Sequence, residues 1–169
     1  MEHLWAPWRM AYIDNPQARD KPAGCIFCDK PAGGDDAANR IVHRGRTGFV
    51  ILNAYPYNNG HLMVVPYRHL SRLADLSPEE NAEMMGLAAL MTQALDDVMH
   101  PDGYNVGMNL GGVAGAGIAD HLHLHVVPRW NGDTNFMPVL ADVKVMPETL
   151  DQVYRKIAAA LAGRAAAAP

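Results

Sequence analysis

Four short apolar runs, each bounded by turn residues, form the clearest pattern along the chain. They are TGFVILN (47–53), HLMVVPY (61–67), YNVGMNL (104–110) and HLHLHVVP (121–128). Their length and composition predict strands. The turn dipeptide Asn59-Gly60 is expected to close the first two into a hairpin. Pro128 is expected to stop the last run, because proline has no N–H to give to a strand ladder.

Two helices are predicted from start signals and helical spacing. The stretch SPEE offers Ser77 as a cap, Pro78 at the first helical position and Glu80 to complete a capping box. Apolar residues then recur at helical spacing, so this helix is expected to run to about residue 99. A second helix is predicted in PETLDQVYRKIAAALAG, closing the chain and ending at Gly163.

Strands joined by short turns, with helices inserted or appended, indicate an α+β domain with an antiparallel sheet rather than parallel βαβ winding. Residues 1–24 are rich in Trp, Pro and Arg without a clear period, and we interpret them as an irregular N-terminal arm. The main domain is expected over residues 25–136. Residues 137–169 are expected to form a C-terminal segment with the closing helix and a frayed tail.

Composition limits the classes of function. The chain has 169 residues, 49% of them hydrophobic, and a net charge of -4. These values are typical of a soluble globular protein and argue against a non-specific nucleic-acid binder or a protein held on anionic lipid. The start, MEHLWAPWRM, lacks a signal-peptide pattern, and the apolar MMGLAALM is too short to span a bilayer. A cytoplasmic location is therefore expected.

Three histidines alternate with apolar residues in the last predicted strand. Because residues i, i+2 and i+4 of a strand share one face, His121, His123 and His125 are expected to line one face while the intervening Leu and Val residues face the core. Such a row suits metal binding or nucleophilic and acid–base catalysis. The preceding loop GGVAGAG (111–117) could offer backbone N–H groups to phosphate oxygens, which favours attack on phosphorus.

The only two cysteines form the pair CIFC, Cys25 and Cys28. In a cytosolic protein this spacing indicates metal or redox chemistry rather than a structural disulfide, and it supplies half of a tetrahedral zinc site. Two other interpretations stay open. The cysteines could be plain thiols, or a thioredoxin-like pair, although we predict no helix after the motif to support the latter.

The run HLHLHVVP resembles the signature of the histidine triad family of nucleotide hydrolases and transferases. TGFVILNAYPYNNGHLMVVPYRH is similar to that family's first hairpin, and NLGGVAGAGIADHLHLHVVPRWNGDTNF resembles the branch that acts on diadenosine tetraphosphate, including its phosphorylases. The similarity covers roughly residues 20–136. It implies a five-stranded antiparallel sheet with two main helices, and a homodimer or higher oligomer in which the sheets of two copies join.

The resemblance also implies roles for individual residues. His123 would attack the α-phosphorus and form a covalent nucleotidyl-histidine, and His125 would hydrogen-bond a phosphate or bridging oxygen. Asn53 stands where the family binds ribose. The positions that correspond to phosphate-binding residues, and a tryptophan beside the site, are Asn109, Gly115, Gly117 and Trp130. An apolar cleft walled by residues such as Phe27 and Ile51 would hold adenine.

Zinc is the cofactor that the resemblance implies. Family members with this cysteine pair bind zinc through it, a histidine after the second strand and the first triad histidine, here His69 and His121. Such zinc would be structural, with four protein ligands. We interpret the remaining histidines as uninvolved in the chemistry, although His61 on the second strand could approach the site. The remaining histidines are His3, His43, His61 and His100.

The expected reaction is nucleotidyl transfer from a dinucleoside polyphosphate. Many family hydrolases carry glutamine where this chain has Gly117, which favours inorganic phosphate over water as the acceptor. The phosphorylase branch often has a hydroxyl residue where this chain has Ile118, and this difference counts against phosphate as the acceptor. The alternatives are a water-dependent hydrolase of nucleotides or nucleoside phosphoramidates, and a nucleotide-binding module without turnover.

Overall fold

A computed structural model describes residues 24–141 and 143–167 and contains a five-stranded sheet. All neighbouring strands are antiparallel, in the order β1-β2-β3-β5-β4. The strands are β1 Ile41–Arg44, β2 Gly48–Leu52, β3 Leu62–Pro66, β4 Gly103–Gly107 and β5 Leu124–Arg129. The predicted α+β class and the antiparallel sheet are therefore confirmed.

Five α-helices accompany this sheet in the described residues. They are α1 Ile26–Ala32, α2 Asp36–Asn39, α3 Pro78–Met99, α4 Met137–Ala141 and α5 Leu150–Ala167, with 3-10 turns at Leu73–Asp75 and Gly112–Ala114. The long helix α3 begins at the predicted capping box: the Ser77 side chain accepts from the Glu80 N–H at 3.2 Å, and Glu80 accepts from the Ser77 N–H at 2.8 Å. It ends at Met99, as predicted. No helix in the described part of the chain is long and apolar enough to cross a membrane.

The sheet buries side chains on both faces, in strict alternation along its central strands. On one face α3 and α5 cover the larger core, which contains the expected residues Leu122, Leu124 and Val126. The opposite face carries a smaller cluster: Phe27, Ile41, Phe49, Ile51, Met63 and Val65. Because Met63 of β3 pairs with His125 of β5, the triad histidines lie on the face of this smaller cluster.

Several element boundaries were predicted wrongly. A helix does follow Cys25, whose carbonyl accepts from the N–H groups of Cys28 and Asp29 at 2.8 and 2.9 Å. The strand predicted over 104–110 ends at Gly107, where its pairing with β5 stops. The last strand begins only at Leu124, so two of the three triad histidines precede it.

The closing helix starts later and ends later than predicted. Thr149 and Gln152 form a reciprocal cap, with Gln152 accepting from the Thr149 N–H at 2.9 Å, so the helix begins at Leu150. It continues through Gly163 to Ala167 because Arg164 donates to Asp97 and Gln93 of α3 at 2.7 and 3.0 Å. The tail predicted to fray is thus helical to residue 167. The predicted N-terminal arm lies outside the described residues, except for Gly24.

Candidate histidine site

Four histidines meet on the smaller-cluster face of the sheet. His121 and His61 are fully buried, and His123 and His125 are 5% and 7% exposed. The imidazoles of His123 and His125 lie side by side, with ring centroids 4.8 Å apart. Because neutral imidazole has one donor and one acceptor nitrogen, the hydrogen bonds around each ring determine what that ring can do.

The partner of His123 leaves its outer nitrogen free to act as a nucleophile. Nδ1 of His123 lies 2.9 Å from the carbonyl oxygen of His121. A carbonyl can only accept, so Nδ1 carries the proton and Nε2 carries the lone pair. Burial lowers the pKa of His123, which keeps that lone pair available at neutral pH.

The hydrogen bonds around His125 leave it with a proton on Nε2, where His123 has a lone pair. The Tyr57 N–H donates to Nδ1 of His61 at 3.0 Å, so the proton of His61 is on Nε2. That Nε2–H donates to Nδ1 of His125 at 2.9 Å, which places the proton of His125 on its own Nε2. This Nε2 is buried and has no hydrogen-bond partner within the described residues, so His125 offers an unused donor beside the nucleophilic nitrogen of His123.

Burial keeps this histidine pair neutral. Burial first, and then the neighbouring His125 and His123, lower the pKa of His61 to about 3. Burial and His123 lower the pKa of His125 to about 4. At neutral pH the pair therefore acts as a hydrogen-bond donor chain, not as a source of positive charge.

His61 is a histidine that the sequence interpretation left outside the chemistry, while allowing that it could approach the site. It lies just before β3, two residues before Met63 and four before Val65. Because alternate residues of a strand share a face, its side chain points to the histidine face. This alternation was the signal in the sequence that could have identified His61. The decisive information, that β3 pairs with β5, is not local to either strand.

The second cluster on this face brings together the four predicted zinc ligands. The ligand atoms of Cys25, Cys28, His69 and His121 all lie within 4.8 Å of one another. Nε2 of His121 donates to the carbonyl of Pro66 at 2.9 Å, so its Nδ1 carries a lone pair that faces the two sulfurs. Burial and the neighbouring Cys25 raise the pKa of the Cys28 thiol.

The separations within this cluster fit tetrahedral zinc. Bonds of about 2.3 Å to sulfur and about 2.0 Å to nitrogen separate S and N ligands by about 3.5 Å in a tetrahedron. The sulfur of Cys25 lies 3.3 Å from Nδ1 of His121, and that of Cys28 lies 3.4 Å from Nδ1 of His69 and 3.7 Å from Nδ1 of His121. Two thiols and two imidazoles are also a common structural zinc set.

The residues predicted to bind nucleotide are distributed unevenly around the histidines. Nδ2 of Asn53 lies 3.3 Å from Nδ1 of His61, next to the donor chain. Asn109 donates to the carbonyl of Gly115 at 3.5 Å and so borders the glycine loop. Three N–H groups of that loop, those of residues 114, 115 and 116, donate to carbonyls of Gly111 and Gly112. These three amides therefore do not form an open anion nest, and Gly117 lies beyond them.

Trp130 contacts the end of α3, and both residues named for the predicted adenine cleft are buried. The indole N–H of Trp130 donates to the carbonyls of Met99 and His100 at 3.2 Å, so this ring caps the end of α3. Phe27 and Ile51 are closed to solvent and belong to the smaller cluster. The ring of Phe27 packs on His123, with centroids 5.2 Å apart.

The model of the HIT domain family matches residues 36–132 of this chain. An AP-4-A phosphorylase of Mycobacterium tuberculosis is 42% identical over 163 residues, which cover 94% of this chain and 83% of that protein. An adenosine 5'-monophosphoramidase of Schizosaccharomyces pombe is 28% identical and covers 79% of this chain and 95% of its own length. The crystal structure of a Zn-bound histidine triad family protein from Mycobacterium smegmatis is 31% identical, with a TM-score of 0.70, covering 86% of this chain and 98% of that one.

Proposed function

This chain belongs to the HIT domain family, and from that premise we propose that it transfers adenylate from a dinucleoside polyphosphate to inorganic phosphate through a covalent intermediate on His123. The observation that carries the proposal is the fixed pair of tautomers, with a lone pair on Nε2 of His123 and a proton on Nε2 of His125. The 42% identity to an AP-4-A phosphorylase supports the choice of substrate.

In the first step, Nε2 of His123 attacks the α-phosphorus and forms a P–N bond. The P–O bond to the rest of the substrate breaks, so diadenosine tetraphosphate releases ATP. His125 donates its Nε2–H to the phosphoryl or bridging oxygen as negative charge develops there, and a placed donor of this kind stabilises a transition state in a water-poor site.

In the second step, an oxygen of inorganic phosphate attacks the adenylated His123. The P–N bond breaks, His123 regains its lone pair, and ADP leaves. The absence of a side chain at Gly117 supports phosphate as the acceptor, because it leaves room for a larger nucleophile than water.

The remaining contacts to substrate are assigned from family positions. Asn53 binds ribose, and its amide beside His61 is consistent with a place at the edge of the site. Asn109, Gly115 and Gly117 border the polyphosphate. Trp130 is assigned a place beside the nucleotide, with its indole N–H bound to the end of α3.

Zinc held by Cys25, Cys28, His69 and His121 would be structural, since four protein ligands leave no open position on the metal. The S–N separations and the lone pair on Nδ1 of His121 support this proposal. Through these four residues a bound zinc would join α1 to the segment that carries His123. His121 would then connect the metal to the nucleophile, because its carbonyl accepts a hydrogen bond from Nδ1–H of His123.

We further propose that the protein works as a homodimer in which two sheets join. Among the described residues, the edge strand β4 pairs on one side only, and it exposes Val106 at 45%. An edge of this kind favours pairing with another strand. Molecular mass in solution decides this point directly: a monomer at micromolar concentration contradicts it.

One incubation separates the candidate functions. Diadenosine tetraphosphate is supplied with and without inorganic phosphate, and the nucleotides are resolved. ADP plus ATP, formed only when phosphate is present, is the expected result. AMP plus ATP without phosphate identifies a water-dependent hydrolase, the alternative that the S. pombe monophosphoramidase favours. Binding without turnover identifies a nucleotide-binding module.

A further inference from the structure

The loop of residues 54–60, which joins β2 to β3, is tied to the strand that carries His125. Asn58 in this loop is only 6% exposed. Its side-chain Nδ2 donates to the carbonyl of Pro128 at 3.0 Å and to Asp133 Oδ2 at 2.8 Å. Pro128 lies three residues after His125 in β5. A single buried amide therefore fastens the loop to the end of this strand.

The partners of Asn58 make this attachment strong and specific. Arg129 donates to the Asp133 carboxylate at 2.6 and 2.9 Å and holds the pKa of Asp133 well below its usual range. Asp133 is therefore ionised, and a hydrogen bond to a charged acceptor is stronger than one to a neutral group. Since Pro128 O and Asp133 both accept, only the NH2 group of Asn58 can face them.

The attachment point is next to the residue that sets the histidine tautomers. Tyr57, directly before Asn58, gives its N–H to Nδ1 of His61. Its ring also packs on His61 and His125, with centroids 4.6 and 5.5 Å away. If the loop shifts, Nδ1 of His61 loses this donor and is left with the Asn53 amide at 3.3 Å. That amide can turn its oxygen inward, and Nδ1 of His61 can then carry the proton and donate to it. His61 then presents a lone pair to His125, the proton of His125 moves to Nδ1, and Nε2 of His125 has nothing to donate.

We propose that Asn58 is a positioning residue, which holds the Tyr57 N–H on His61 and thereby keeps the Nε2–H of His125 directed at the substrate. This role rests on the proposed function of His125. Asn58 acts through three hydrogen bonds in series and does not itself touch the reacting atoms. Asp133 supports it by fixing the orientation of the Asn58 amide.

The kinetic test compares Asn58→Ala with Asn59→Ala. Asn59 is as buried as Asn58, at 7% exposed, but its amide approaches Glu148 at 3.5 Å instead of β5. With diadenosine tetraphosphate and phosphate, Asn58→Ala is expected to lower kcat about 100-fold with little change in KM, the scale of a small misplacement of a reacting group. Asn59→Ala should keep kcat near that of the wild type. Equal kcat values for the two variants would overturn the proposal.

A change of leaving group separates positioning from general damage. The p-nitrophenyl ester of AMP leaves as a stabilised anion and needs little help from a donor, whereas a nucleoside polyphosphate needs more. Asn58→Ala is therefore expected to lose much less activity on the p-nitrophenyl ester. An equal loss on both substrates would mean that Asn58 only supports the fold, and would contradict the proposal.

The final test does not depend on turnover. Nitrogen-15 NMR of the histidine rings reports which nitrogen carries each proton. The wild type should show His61 and His125 protonated on Nε2, and Asn58→Ala should show His125 with its proton partly on Nδ1. If Asn58→Ala does not fold, Asp133→Asn, which keeps the side-chain volume, should show a smaller shift in the same direction. Unchanged tautomers in a folded variant overturn the role of Asn58, whereas a wild type without turnover counts only against the proposed function.

Discussion

Gly60→Ala is expected to destabilise the protein strongly, although it adds a single methyl group next to His61. Gly60 has φ +76, a conformation that costs a residue with a side chain about 1–2 kcal/mol. A methyl group there would also lie 2.9 Å from the sulfur of Met99 and 3.2 Å from carbons of Leu95 and Pro128. Overpacking of this kind costs about 1–3 kcal/mol, so the expected total loss is about 2–5 kcal/mol.

The matched control is Gly86→Ala on the exposed side of α3. No atom lies within 4 Å of the added methyl there, and alanine is the better helix former by about 0.5–1 kcal/mol. Urea unfolding at constant metal and pH should therefore show opposite signs for the two glycine-to-alanine changes. A Gly60→Ala protein as stable as the wild type would refute the account of this turn.

Three further predictions concern the metal cluster, the buried histidines and an anchor of the sheet. Wild-type protein should contain about one zinc per chain by elemental analysis, as four S and N ligands imply, and Cys25→Ser should lose it; a stable wild type without metal contradicts the assignment. The pKa of His61 is about 3 when the protein is folded and about 6.5 when it is unfolded. Between these values only the unfolded chain binds the proton, so the free energy of unfolding is unaffected by His61 above about pH 6.5 and falls as pH drops toward 3. His61→Asn should therefore reduce the loss of unfolding free energy between about pH 6 and about pH 5 by about 1.2 kcal/mol, and equal pH slopes in urea titrations would show that His61 is not buried neutral. Glu83 accepts from the N–H groups of Arg46 and Thr47 at 2.6 and 2.5 Å, so Glu83→Ala should cost about 1–3 kcal/mol of unfolding free energy, whereas Glu79→Ala on the same helix should cost much less.

Local signals in the sequence predicted the elements whose physics is local. The capping box at Ser77 and Glu80 satisfies N–H groups within one turn, so its residues alone identify the start of α3. Strand alternation likewise placed Leu122 and Leu124 in the core. The four ligands of the metal cluster were also named from the sequence, although His69 and His121 came from the family resemblance and not from spacing.

Other features depend on which elements meet in three dimensions. Gly163 reads as a helix end, but Arg164 gains partners on α3 and the helix continues. His61 carries no motif, and its role follows from the pairing of β3 with β5. Asn58 is one of several polar residues in a turn, and its importance emerges only when Asp133, 75 residues away, lies against it.

In the proposed reaction His123 becomes covalently adenylated. The most direct measurement is to mix the protein with diadenosine tetraphosphate in the absence of phosphate, quench it within its first turnovers under mildly alkaline denaturing conditions, and locate any added adenylate by mass spectrometry. We expect one adenylate per active site, attached to the peptide that contains His123 and absent from His123→Ala. Adenylate on another residue, or labelling that persists in His123→Ala, would contradict it.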